Sequence, residues 1–257
     1  MPGSKIWRPA IAYAGIVAAW AAITSFRIVD PIVLPSPVDV CAAFKVMFLQ
    51  EDFLSHTAST LVRVSLAIAF ATVIGVPTGL FFGYRRDLYR FVEGPLHGLR
   101  SVPASALFPL FLIIVGVGEA AVVALATYPS LLVIMVNAVS GASRANEHRV
   151  RQARTLGVGP FGIIRYVLLF EALPSIFDAV RTAISYALVL VVAVEMFIGV
   201  GSRGIGRAIY EYQSTYRIPE TYGAIILAGA LGMAMNGMLS VAERSSLSWM
   251  PNRNPTH

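Results

Sequence analysis

An all-α, polytopic membrane protein with six transmembrane helices is the fold class this sequence predicts, and three observations predict it. Of 257 residues, 56% are hydrophobic and only 13% charged, with a mean hydropathy of +0.70; a soluble domain carries about a quarter charged residues. Charge-free runs cover 9–26, 64–84, 101–118, 120–143, 182–194 and 221–242, several of them near the ~20 residues a helix needs to cross the hydrocarbon. The basic residues also sort by side. With the N-terminus inside and six spans, 13 of the 20 Lys and Arg residues fall on cytoplasmic segments, among them Lys5, Arg86, Arg149, Arg154 and Arg253, as the positive-inside rule requires. The net charge of +6 follows topology and does not mark a nucleic-acid face. Both termini and the 144–165 loop are then expected in the cytoplasm.

The first span, about 9–26, follows Lys5 and Arg8 and so mimics a secretory signal. Thr24-Ser25-Phe26-Arg27 offers no small-x-small cleavage site, however, so the span is read as retained. Leu34-Pro35-Ser36-Pro37 forces an extended segment, because proline fixes φ and restricts the residue before it. Helical spacing returns over 38–50 and predicts a short interfacial helix. The single cysteine, Cys41, excludes an intramolecular disulfide and is read as a small packed residue.

The second span begins at His56-Thr57 and carries Gly75, Gly79 and Gly83 at four-residue intervals, a spacing that lets another helix approach its backbone. His56 reads as a polar cap and not as a ligand. Residues 84–100 read as a basic inner loop. Pro103 and Pro109 imply a broken or kinked third span, and Pro129 a bend in the fourth. The fifth span, 182–194, lengthens if Asp178, Arg181 and Glu195 lie within it; ionisable groups at that depth face protein or a watery path. Asp178 and Arg181, at i, i+3, are expected to pair. Glu195 and Arg63 lie equally far from the outer ends of oppositely directed spans, which predicts a salt bridge between them. The outer loop over 200–220 has glycine turns, including Gly201-Ser202, and an aromatic amphipathic helix whose Tyr210, Tyr212 and Tyr216 suit the membrane interface. The sixth span runs over about 221–239.

The one long polar, helix-capable insert between spans is 152–174. Val150, Ala153 and Gly157 share one face of a short helix, while Arg144, His148, Arg151 and Arg154 take another. Gly157, Gly159 and Pro160 stop that helix. A small-residue face closed by a Gly/Pro break is what close reception in another protein's groove requires.

These residues resemble a family. Permease subunits of bacterial ABC importers carry, before their penultimate span, a motif of the form E-A-A, three residues, G, nine residues, I-x-L-P. Ala153, Gly157, Val167 and Leu169 sit on that frame; Arg151 and Gln152 replace the E-A, and Phe170 replaces the proline, with Pro174 four residues on. The L-P-S-P stretch and the R-S-V-P-A-S-A-L-F-P-L run are similar to the nitrate, sulfonate, taurine and bicarbonate subfamily. The resemblance covers about 34–240 and implies a type I ABC importer permease fold: a single transmembrane domain over 1–257, with an N-terminal span about 9–26, a core about 55–246 and a cytoplasmic coupling loop about 144–170. It further implies docking of two ABC ATPase subunits through Ala153, Leu156, Gly157, Val158, Gly159 and Pro160, a second permease copy, and a periplasmic substrate-binding protein. Arg63, Arg181 and Glu195 are the candidates for a translocation pathway or gate. ATP and Mg are expected on the partner ATPase and no cofactor or metal in this chain, whose place is the bacterial inner membrane.

What is missing narrows the chemistry. There is no G-x-x-x-x-G-K-[ST], and the only lysines are Lys5 and Lys45, so a Walker A loop is excluded. H-E-x-x-H, G-x-S-x-G and carboxylates at metal spacing are absent too, which leaves intramembrane catalysis without reactive groups. Gly201–Gly206 is no dinucleotide fingerprint, because no βαβ unit surrounds it. The alternative reading is a stand-alone secondary transporter or channel, although no inverted repeat of the kind such transporters carry is visible.

Overall fold

The computed structural model describes residues 7–50, 52–198 and 203–249. Lys5, Gly201, Ser202 and Arg253, invoked above, lie outside them. All regular structure among the described residues is helical: α1 (Trp7–Ser25), α2 (Pro37–Gln50), α3 (Phe53–Tyr84), α4 (Arg86–Ser101), α5 (Phe108–Val115), α6 (Glu119–Ser143), α7 (Glu147–Thr155), α8 (Pro160–Ile163), α9 (Leu169–Ile198), α10 (Ile205–Ser214) and α11 (Ile218–Ser246). A 3₁₀ turn, Ala104–Leu107, precedes α5, and a π-helical turn, Ile164–Leu168, joins α8 to α9.

Four helical runs are long and apolar enough to cross a membrane: Phe53–Tyr84, Glu119–Ser143, Pro160–Phe197 and Ile218–Ser246. A fifth crossing exists if Arg86–Ser101 and Ala104–Val115, bent by 85°, count as one broken span, and Ile11–Ser25 is a shorter apolar helix. The expected break in the third span is therefore present, but its limits differ from 101–118. The stretch read as an inner loop over 84–100 is helix α4, whose polar and apolar residues segregate onto opposite faces, a pattern masked by its basic composition. The chain turns where Val102 becomes extended (φ −72°, ψ 123°) before Pro103, since a residue preceding proline disfavours the helical region.

The packed centre is α3, α6 and α9, with core residues such as Val64, Ala71, Leu125, Ile134, Ala183 and Val191 all 0% exposed. Small residues set how closely the helices lie. A Cβ added at Gly79 would sit 2.5 Å from Met135 O and 2.6 Å from Ala138 Cβ, and one at Gly83 would sit 2.5 Å from Ala142 Cβ. Those distances leave no room for any side chain, so the four-residue glycine spacing does bring α3 and α6 backbone to backbone. A second cluster joins α2, the start of α3, α10 and α11 through Met47, Phe53, Ile205, Ile209, Tyr212 and Ala224.

The short helix expected over 38–50 is present as α2. Ser36 and Asp39 form a reciprocal cap, Ser36 Oγ to Asp39 Oδ2 at 2.7 Å and Asp39 N to Ser36 Oγ at 3.2 Å, with Pro37 at the first position of α2. Two readings are corrected. Cys41 is exposed and not packed, because it falls on the outer face of α2. Tyr212 is 7% exposed and belongs to the second cluster, leaving Tyr210 and Tyr216 as the exposed tyrosines of that segment.

Candidate functional site

Opposite ends of the bundle carry the two sets of residues singled out from the sequence. At the end bearing α10, the first turns of α3 place Thr60 and Arg63 on one face at i, i+3, the last turns of α9 bring Glu195 against them, and α10 lays its N-terminus over both. Glu195 is 2% and Arg63 4% exposed. Arg63 Nη1 donates to Glu195 Oε1 at 2.5 Å, so the predicted pair is present. Thr60 Oγ1 lies 2.9 Å from both Glu195 oxygens, and the backbone N–H of Gly206 donates to Oε2 at 2.9 Å. The buried carboxylate is thereby met on both oxygens, as a buried charge requires.

The other edge of the same guanidinium holds a third residue that sequence reasoning passed over. Arg63 Nη2 donates to Glu119 Oε1 at 2.6 Å and Nε to Glu119 Oε2, a parallel two-bond pair from the first residue of α6. The signal was available: Glu119 is the single charge separating the runs 101–118 and 120–143. Arg63 Nη1 also donates to Arg203 O at 2.9 Å. One guanidinium thus joins α3, α6, α9 and the segment before α10. His56 Nδ1 lies 2.9 Å from Gly204 O and 3.1 Å from Gly204 N, so the histidine does cap this segment.

Arg181 is far from this cluster along α9 and does not join it. Its Nη2 donates to Glu243 Oε2 at 2.9 Å and to Ser240 Oγ at 3.2 Å, while Asp178 Oδ1 stands 3.7 Å from Nη1. The expected i, i+3 pair exists, but the shorter contact is the unforeseen one to α11.

At that same end stands α7, started by Asn146, whose side chain accepts from His148 N at 2.9 Å. The helix closes where Gly157 adopts φ +77°, with Gly157 N donating to Arg154 O and Val158 N to Ala153 O, each at 3.0 Å; a residue in the left-handed region there is usually glycine. Gly159 then caps α8, with Pro160 at its first position. The face carrying Val150 and Ala153 turns inward, packing with Val158 on the core. It is the opposite side that is presented outward: Leu156 is 82% and Phe161 73% exposed, beside exposed Arg151 and Arg154. Among the described residues no group of His, Cys, Asp or Glu could hold a metal ion.

Residues 71–244 match the family described as "Binding-protein-dependent transport system inner membrane component". SsuC of Bacillus subtilis, named for aliphatic sulfonates transport, is 25% identical over 234 residues, covering 91% of this chain and 84% of its own. The taurine transport system permease protein TauC of Escherichia coli is 25% identical over 229 residues (87% and 81%), and the nitrate import permease protein NrtB of Synechocystis 25% over 248 (93% and 88%). Among solved structures, a chain of the inward-facing MetNI methionine ABC transporter superposes with a TM-score of 0.65 at 24% identity, covering 79% of this chain and 98% of that one, a likeness of fold. With a family match over more than half of its length, and an all-helical bundle to accompany it, this chain belongs to the binding-protein-dependent transport system inner membrane components and is a transmembrane permease subunit of an ABC importer.

Proposed function

We propose that this permease moves a small oxyanion of the nitrate, sulfonate, taurine or bicarbonate class across the bacterial inner membrane by alternating access. The relatives named for sulfonates, taurine and nitrate support that class. In this reading the chain is one permease domain with both termini in the cytoplasm, paired with a second copy. Two ATPase subunits, which bind ATP and Mg, dock at the 144–170 loops, and a periplasmic binding protein delivers the solute. Closure of the ATPases draws the loops together and opens the outer side, and hydrolysis resets it. The permease supplies a moving gate and no bond chemistry.

The exposure of Leu156 and Phe161 at the tip between α7 and α8 carries the docking assignment. Two neighbouring apolar side chains rimmed by Arg151 and Arg154 offer a partner protein an apolar contact, while Ala153 and Val158 on the reverse side anchor the tip to the bundle. Gly157, Gly159 and Pro160 fix the turn between them. The test is copurification of the ATPase with Leu156→Asp and with Gly157→Trp. Both are expected to lose the ATPase; Leu156→Asp leaves the melting temperature of the permease unchanged, whereas Gly157→Trp also lowers it modestly, because position 157 holds φ +77°, which glycine alone adopts freely. Retention of a stable complex with full ATP-dependent uptake in both variants overturns the assignment.

A further inference from the structure

We propose that the Nε/Nη2 edge of Arg63 is a binding fork for a monovalent oxyanion, occupied in this structure by Glu119 as an internal ligand that the solute displaces. The inference rests on the reading of this chain as the permease for a small oxyanion.

The geometry separates the partners of Arg63 into a fixed one and an exchangeable one. Its Nη1 edge is tied to Glu195, whose side chain is 1% exposed and is held in turn by Thr60 and Gly206. The same nitrogen donates to Arg203 O. The guanidinium plane is therefore immobilised before any ligand arrives, which lowers the ordering cost of binding to its free edge. That free edge presents two parallel N–H groups, the arrangement that matches two oxygens borne on one central atom.

The present occupant of the fork is a carboxylate with that arrangement, and its side chain is 57% exposed. Glu119 opens onto a cavity of about 630 Å³ lined by Ser59, Val62, Arg63, Leu66, Phe70 and Val123. Rotation of Glu119 out of the fork and entry of an oxyanion leave the number of hydrogen bonds to Arg63 unchanged, and a monoanion leaves the charge seated on the fork unchanged as well. A dianion would add a second negative charge beside Glu195, in surroundings where such a charge is costly. Monovalent nitrate, carboxylates and sulfonates are therefore the class that fits, and sulfate and phosphate dianions are not. The apolar side chains of Val62, Leu66 and Phe70 line the space that a short tail on the anion would fill. Among the described residues Arg63 is the one arginine buried below a tenth of its surface, so no second buried fork competes with it.

Methanesulfonate is the probe, titrated against the purified permease–ATPase complex at constant ionic strength with chloride as the balancing salt, with the melting temperature as the readout. Methanesulfonate is expected to stabilise the complex, sulfate to do no more than chloride, and Glu119→Gln to lower the half-maximal methanesulfonate concentration about tenfold, because a neutral amide competes less well than a carboxylate for a charged fork. Glu119→Ala serves as a second variant with no competing group and is expected to behave like Glu119→Gln. Half-points equal to wild type in both variants, or equal stabilisation by sulfate, overturn the proposal. If methanesulfonate binds as expected but the reconstituted importer rejects every monovalent oxyanion, the cargo reading fails and the fork stands. If such an anion is carried while the half-points stay unchanged, the fork fails and the cargo reading stands.

Discussion

Gly206 and Glu195 touch so closely that no other residue fits at position 206: its N–H donates to Glu195 Oε2 at 2.9 Å, and a Cβ there would lie 2.7 Å from Glu195 Cβ and 2.1 Å from Val192 O. Backbone contacts of that kind cannot relax by turning a side chain. Gly206→Ala is expected to destabilise the protein by about 2–3 kcal/mol through overpacking, read as a lower melting temperature in detergent. Gly229→Ala, where an added Cβ meets nothing within 4 Å, is the control and should melt with the wild type or slightly above it. Equal losses in the two variants would refute the packing argument.

Removing Arg63 should be worse than removing its partner. Arg63→Met strands a Glu195 carboxylate that is 2% exposed, and breaking a buried pair from one side costs about 3–5 kcal/mol. Glu195→Gln leaves Arg63 still bound to Glu119, so its cost should be smaller. The double variant is expected to recover part of the Arg63→Met loss, a coupling that a double-mutant cycle of melting data measures. Strictly additive losses would mean the pair contributes nothing. In the assembled importer Glu195→Gln should change the stimulation of ATP hydrolysis by the binding protein without dissociating the subunits; an unchanged response leaves the cluster a static brace.

The orientation can be read with one thiol. Cys41 is unique and exposed on α2, so an impermeant maleimide should label it in intact cells. In a Cys41→Ser background, with the permease expressed without its ATPase, Leu156→Cys should react only after the cells are opened, given the 82% exposure of that position in the chain alone. Labelling of the second variant from outside would invert the proposed topology.

Much of this arrangement was legible in the sequence because the membrane restricts what a chain can do. The glycine triplet Gly75, Gly79 and Gly83 announced a close helix contact, and the equal depth of Arg63 and Glu195 announced their pair, since a lone charge at such depth costs about 2.5–3.5 kcal/mol even on lenient scales. Periodicity, however, groups residues onto faces without saying which way a face turns. Val150 and Ala153 were grouped correctly, yet their face points into the bundle and Leu156 points out. Glu119 escaped because it stands at the border of two apolar runs, where a charge reads as punctuation between spans. Glu243 escaped for a related reason: α11 continues to Ser246, beyond the apolar run that ends at 242. Tyr212 was misplaced because an aromatic residue on an amphipathic helix suits a lipid interface and a protein core equally well.

The helical run from Pro160 to Phe197 contains 38 residues without a sharp break. At 1.5 Å per residue it holds its first residue and Glu195 roughly 50 Å apart, so a tilt of about 5° around its midpoint swings each end sideways by ~2 Å. A hydrogen bond lengthened by that much no longer exists. On the proposed docking, the tip and the arginine cluster are the two ends of one lever, and a small push at the foot is expected, measured against the reach of a guanidinium, to unhook the head.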